Sequence, residues 1–320
     1  MNLRHAVMVG LMGRHADRFH EYHPARSLAE RLDAVRRVPS AQGIEVVYPQ
    51  DYGDSLERAS RDIRASGLPV SAINLNVKTE KIWQEGSFTA ADAAVRARAV
   101  ANLKVAMDLA AEFDAWMVTC CPLIDGHNYS FQVDYLQQWG WLEASIAEAA
   151  GYRADVRISL EYKLNESRNY CVLGDMGRAL YLCEHLNMPN VGVTMDFGHA
   201  LIAKETPAEA LALAHQAGRL LYVHLNDNAR EWDWDMIPGS VCFWDLIEML
   251  YYMDRIGWDG WVAYDVNSRQ SNPEESMSAT IATVQAAERL LDRFGRERIA
   301  AFIAEGNPAV SFTQLFQALL

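Results

Sequence analysis

The sequence lacks any apolar run approaching the length of a membrane span. Ala6 to Met12 is apolar but short, and Arg14, His15 and Asp17 follow it without a small-residue cleavage site, so neither a spanning segment nor a secretory leader is expected. Basic residues are scarce, with Lys and Arg totalling 29 against 42 Asp and Glu, for a formal charge of −13. That balance argues against a nucleic-acid partner, because phosphate binding needs clustered Lys and Arg. The five cysteines (Cys120, Cys121, Cys171, Cys183 and Cys242) are odd in number and form no CxxC pair. Reduced thiols in a cytoplasmic protein are expected. No Pro- or Ser-rich linker divides the chain, and no glycine-and-lysine cradle for phosphate is present.

What is present is alternation. Short apolar runs are expected as strands at Ala6–Gly10, Ile44–Tyr48, Val70–Leu75, Trp116–Cys120, Val156–Glu161, Val191–Asp196, Leu220–His224 and Trp261–Asp265. Amphipathic stretches separate them, the clearest being Ala91–Phe113. Gly43, Gly67, Gly151, Gly192, Gly218 and Gly260 fall just before or at strand starts. Eight such repeats predict an α/β fold, a single (β/α)8 barrel over residues 1–295. A C-terminal helical arm is expected over 296–320, with Ile299–Leu320 as its helical part.

The polar residues collect where the later strands end. Ile158-Ser159-Leu160 runs into Glu161, Gly192 to Met195 into Asp196, Leu221 to Val223 into His224, and Trp261 to Tyr264 into Asp265. In a parallel barrel those ends converge on one mouth. Any one acidic residue there is more simply a helix N-cap, and a lone histidine a satisfied strand-end residue. Four in succession are harder to explain that way, and three clustered carboxylates call for a cation. The oxygen-rich set favours Mn²⁺, Mg²⁺ or Co²⁺ over a structural zinc.

Further groups surround this set. Lys163, at i+2 from Glu161, points to the same face and is a candidate to polarise a substrate oxygen, or else a rim salt bridge. His199 follows Asp196 in a tight turn, and Asp233 and Asp235 form an Asp-x-Asp pair flanked by Trp232 and Trp234. Together these three could hold a second cation, although acidic loops are commonly inert.

These strand ends resemble the xylose-isomerase-like TIM-barrel superfamily over most of the chain. The motifs are Glu161-Tyr162-Lys163, Met195-Asp196-Phe197-Gly198-His199, Val223-His224-Leu225-Asn226-Asp227 and Tyr264-Asp265-Val266. The resemblance implies that Glu161, Asp196, His224 and Asp265 bind a substrate-orienting metal. It also implies that Lys163, His199, Asp233 and Asp235 match the additions of two-metal aldose–ketose isomerases, nearer the L-rhamnose isomerase type because of His224. The loop Asp125-Gly126-His127-Asn128-Tyr129-Ser130-Phe131-Gln132 and the segment Gly86-Ser87-Phe88 look like family features, with His127 where tyrosine is usual and Trp83 as a sugar-stacking wall.

The expected activity is therefore interconversion of an unphosphorylated aldose and ketose (a pentose, a branched pentose such as apiose, or a deoxyhexose). Two divalent ions per subunit, Glu161, Lys163 and Asp265 at the chemistry, and Trp83, His127, Lys163 and His199 against the sugar complete the expectation. A homodimer or homotetramer is expected, as is usual in the family. The alternative is a ketose 3-epimerase with Glu161 and Asp265 as acid and base, in which Asp265 reaches less far and Lys163 has no purpose. An abasic-site nuclease on the same barrel would need a basic face and a histidine-rich zinc cluster. The early loops, with His15, His20, His23, Tyr129 and Phe131, leave the sugar open.

Overall fold

The computed structural model describes residues 2–319. Eight parallel strands close a barrel: β1 (Arg4–Met8), β2 (Gly43–Tyr48), β3 (Val70–Leu75), β4 (Met117–Cys120), β5 (Arg157–Glu161), β6 (Val191–Asp196), β7 (Leu220–Leu225) and β8 (Trp261–Tyr264). Every neighbouring pair runs parallel, and β1 closes the circle against β8 through Arg4–Val7 beside Trp261–Tyr264. The expected (β/α)8 barrel is the fold. Six of the eight strands shift a bound by one or two residues. The first strand begins earlier than expected, because Val9–Met12 winds into a 3-10 turn, and Asp265 lies one residue beyond β8.

Helices follow the strands and cover the outside of the barrel. The earlier ones are α1 (Leu28–Arg36), α2 (Leu56–Ser66), α3 (Ala93–Glu112), α4 (Tyr135–Tyr152) and α5 (Met176–Leu186). The later ones are α6 (Phe197–Ile202), α7 (Pro207–Gln216), α8 (Phe243–Arg255) and α9 (Pro273–Phe294). Short polar side chains start many of them. Asp92, Asp134 and Asp175 accept from the first-turn amides of α3, α4 and α5, and Ser27 makes a reciprocal capping box with Glu30 on α1. The apolar faces of these helices, with Leu103, Met107, Leu142, Ile146, Leu182, Leu246, Leu250, Ile281 and Leu291 fully or almost fully buried, pack on Val46, Ile73, Val118, Ile158, Val193 and Val223 of the strands in one continuous core.

The inside of the barrel is less apolar than the strand sequences suggest. Alternate residues point inward, and there Thr119, Ser159 and Thr194 are buried in a hydroxyl layer, with Thr194 Oγ1 2.7 Å from both Thr119 Oγ1 and Ser159 Oγ. Ser71 and Tyr222 hydroxyls meet at 2.7 Å across the interior. Two residues further along the same inward faces stand Glu161, Asp196 and His224. This polar interior continues upward into the mouth.

After α9 the expected C-terminal helical arm is built of two helices, α10 (Arg296–Glu305) and α11 (Pro308–Leu319). Gly306, with φ of 67°, ends α10 and Pro308 begins α11. Phe312 and Phe316 lean edge-on against Trp244 of α8, each with centroids 5.4 Å away. The last residue of that arm, Leu320, lies outside the described residues.

Candidate active site

Parallel pairing brings the strand ends together in register. Asp196 lies beside His224, and Glu161 beside Thr194, two residues before Asp196. Single ligand atoms of Glu161, Asp196 and His224 all fall within 4.8 Å of one another, and all three residues are buried. Asp196 also serves as a helix N-cap. Its Oδ1 caps α6 by accepting the His199 amide at 2.7 Å, while Oδ2 accepts from Asn226 Nδ2 at 2.9 Å. The turn that swings His199 back over the mouth requires Gly198, since a Cβ there would meet Asn226 Oδ1 at 1.8 Å.

Both histidines stand in the same relation to Glu161. His224 Nδ1 is 3.3 Å and His199 Nδ1 3.2 Å from Glu161 Oε1, although the His199 contact lacks hydrogen-bond alignment. Each Nε2 faces a second carboxylate, Glu45 Oε2 at 2.9 Å for His224 and Asp233 Oδ2 at 3.2 Å for His199. An ionised carboxylate can only accept, so each Nε2 donates to its carboxylate, and His224 Nδ1 likewise donates to Glu161. Lys163, buried, then joins the group through Asp233 Oδ2 at 2.9 Å and through Glu166. The strand-end set and the Asp-x-Asp loop are thereby one cluster.

That loop is held from below. Asp227 accepts from the amides of Val241 and Cys242 at its far end, Met236 bonds back to Asp227, and the Asn267 amide bonds to the Asp235 carbonyl. Burial and then the nearby Asp265 carboxylate raise the pKa of Asp235.

The charges distribute unequally. Burial pushes Glu161 upward, but the two imidazoles outweigh it and hold its carboxyl well below the usual range. Burial also opposes the charged forms of both histidines. Asp196 and Asp233 around His199, and Glu45 and Glu161 around His224, nonetheless lift them well above the usual imidazole value. Asp196 is pushed to about 7 by burial together with Glu161 and Asp233, against the pull of His199. Burial and the neighbouring carboxylates raise Asp235 and Asp265. The Lys163 ammonium persists despite burial because Asp233 and Glu166 flank it.

These residues suit a divalent cation. Packed buried carboxylates need positive charge beyond what one lysine and two imidazolium rings supply. His199 Nδ1 and Asp233 Oδ1, both buried, have no hydrogen-bond partner among the described residues.

Two expected sugar contacts lie elsewhere. Trp83 has no exposed surface and belongs to the main core, so it presents no open face for stacking on a sugar. His127 sits in a small sheet of Gly126–His127, Asn169–Cys171 and Asn165–Glu166, with its ring 5.0 Å from that of Tyr135. The two loop segments singled out in the sequence turn out to be partners: Asp125 accepts from the Ser87 amide at 2.9 Å and from the Thr89 amide and hydroxyl at 2.7 and 2.6 Å. Asp125 is thus a structural clamp.

Two site residues escaped sequence reasoning. Glu45, in the middle of β2, is fully buried behind His224 and also accepts from Asn74 Nδ2 at 2.7 Å. The available signal was a carboxylate inside an otherwise apolar strand, which must find a partner. Cys121 comes within 4.8 Å of Glu161 and His199, ligand atom to ligand atom.

The family model described as xylose isomerase-like TIM barrel matches residues 32–287. The chain belongs to that family. As a member of the xylose isomerase-like barrels it is 26% identical to the xylose isomerase of Thermus thermophilus over 237 residues, 72% of this chain and 61% of that protein. The chain therefore spans a little under two thirds of the length of the curated relatives it matches. Among solved structures, an L-ribulose 3-epimerase shares the fold with a TM-score of 0.71 and 19% identity, covering 94% of this chain and 98% of the other. The D-allulose 3-epimerase of Methylomonas sp. does so with a TM-score of 0.70 and 14% identity, covering 89% and 97%. Like its family, this xylose isomerase-like barrel carries acidic and histidine groups able to take a divalent metal.

Proposed function

We propose that the protein is a metal-dependent aldose–ketose isomerase acting on an unphosphorylated pentose, branched pentose or deoxyhexose. The observation that carries this reading is His199, which spans Glu161 and Asp233 at 3.2 Å each and so joins the strand-end ligands to the Asp-x-Asp loop and Lys163. In the proposal Glu161, Asp196, His224 and Asp265 hold one divalent ion, with His199, Asp233 and Asp235 around a second, as Mn²⁺, Mg²⁺ or Co²⁺. Metal bound there supplies Lewis acidity to the two sugar oxygens between which the carbonyl moves.

The remaining work belongs to the chain. The Lys163 ammonium, fixed by Asp233 and Glu166, offers a donor where negative charge develops on the substrate oxygen. Glu161 and Asp265 orient the open-chain sugar, and His199 contacts its hydroxyls. Hydrogen then passes from C2 to C1 as hydride while the hydroxyl proton moves the same way, from O2 to O1, so C2 is oxidised and C1 reduced with no net redox change.

The deciding experiment is a panel of free aldoses and ketoses offered to EDTA-treated protein resupplied with Mn²⁺ or Co²⁺, run in deuterated water. Metal-restored conversion without solvent deuterium at carbon is expected. Extensive incorporation indicates an enediolate and a 3-epimerase such as the fold relatives, with Glu161 and Asp265 as acid and base. Inactivity on every sugar overturns the assignment altogether.

A further inference from the structure

A thiol also approaches Glu161. Cys121 directly follows β4, is 6% exposed, and brings Sγ within 4.8 Å of both a Glu161 oxygen and a His199 nitrogen. His199 Nδ1 is buried, lies 3.2 Å from Glu161 Oε1, and has no hydrogen-bond partner among the described residues. Its other nitrogen faces Asp233, which is how a metal-ligating histidine is usually held, with the second ring N–H given to a carboxylate. The same relation repeats on the other side of Glu161, where His224 Nδ1 points inward and Nε2 meets Glu45.

We propose that Cys121 Sγ, Glu161 and His199 Nδ1 form a thiophilic divalent-cation site, sharing Glu161 with the Glu161–Asp196–His224 set. Zn²⁺, Co²⁺ or Cd²⁺ is its class of ligand. Sulfur together with imidazole and carboxylate favours these borderline or soft ions over Mg²⁺ or Mn²⁺. Bonds of about 2.0–2.3 Å leave such separations within reach of modest side-chain rotation. On binding, the Cys121 S–H and His199 Nδ1–H bonds break, sulfur and nitrogen donate to the cation, and two protons leave to solvent. Asp233 Oδ2 then orients His199, which leaves its unpartnered Oδ1 to face the cation. The proposal rests on the reading of Glu161 as a metal ligand, and it makes the second position selective for softer ions.

Cobalt titration of the EDTA-treated full-length protein tests it without any sugar. Wild type should develop a near-ultraviolet sulfur-to-cobalt charge-transfer band as Co²⁺ is added, alongside weaker visible ligand-field bands from all bound cobalt. Cys121→Ser should lose the charge-transfer band and bind one equivalent fewer, and Cys171→Ala, which removes the neighbouring thiol, should keep it. Zn²⁺ affinity at the second equivalent should fall at least about 10-fold in Cys121→Ser. Visible bands without charge transfer in wild type, or an unchanged band in Cys121→Ser, overturn the proposal and leave the isomerase reading standing. No cobalt binding at all overturns both. The wild-type spectrum is decisive even if Cys121→Ser does not fold.

Discussion

Glu45 Oε2 lies 2.9 Å from His224 Nε2, both side chains fully buried, on strands β2 and β7 from opposite sides of the barrel. The contact holds the His224 ring with Nε2 donating to Glu45 and Nδ1 turned toward Glu161 and Asp196.

Replacing Glu45 should weaken metal binding without touching the ligands themselves. Glu45→Ala leaves the His224 N–H and Asn74 amide unpaired in the barrel interior, and about a 10–100-fold loss of affinity is expected by calorimetric titration of the metal-free protein. Stability should fall by about 3 kcal/mol, measured by urea unfolding. Glu45→Gln should recover part of both, because its amide oxygen still accepts. Unchanged affinity in Glu45→Ala would detach Glu45 from the metal site.

Lys163 separates binding from chemistry. It touches Asp233 and Glu166 and none of Glu161, Asp196 and His224 within ion-pair distance. Lys163→Met should retain at least the first metal equivalent by titration, while kcat drops about 10²–10³-fold. Lys163→Arg should not restore it, since a planar fork cannot occupy the same compact position between two carboxylates. Near-normal turnover in Lys163→Met would return Lys163 to an ordinary rim ion pair.

Gly198→Ala is expected to disturb the site through packing alone. The new Cβ collides with Asn226 Oδ1 at 1.8 Å, and moving Asn226 frees Asp196 Oδ2. A stability loss of about 1–3 kcal/mol is expected by thermal or urea unfolding, with weaker metal binding by titration. A variant as stable as wild type would show that Asn226 has room to shift.

His5 gives a pH dependence remote from the metal ligands. Burial lowers its pKa to about 4 from 6.5, and its Nδ1 meets the Tyr264 hydroxyl at 2.7 Å. The unfolded chain therefore binds the proton first as pH falls. The stability that neutral His5 contributes is complete above pH 6.5 and is lost progressively down to about 4. The difference is on the order of 2 kcal/mol. Urea unfolding of wild type and His5→Asn at several pH values should show the smaller acid-side slope in the variant, and identical slopes would refute it.

The barrel was readable because strands buried on both faces are written as apolar runs and their αβ turns as glycines. The ends of β5, β6 and β7 were readable for a related reason: parallel strands of similar length deliver their last residues to one mouth. Glu161, Asp196 and His224 needed only that geometry to meet. Glu45 and Cys121 were less accessible, since one lies mid-strand on the far wall and the other was counted only among reduced thiols. Their partners are 179 residues away for Glu45 with His224, and on different strands for Cys121, so no local pattern announces them. Trp83 failed in the opposite direction. An aromatic near a sugar-like loop reads as a stacking wall, and only packing revealed that no face is open.

The sequence by itself determined the period of strands and helices, the residue types at the barrel mouth and the family, because these are set by local patterning. Tertiary structure alone decided which nitrogen of each histidine points at Glu161, which carboxylate stands behind it, and that a thiol shares the mouth. Those relations depend on barrel closure, which sets distances between side chains that the chain itself keeps far apart.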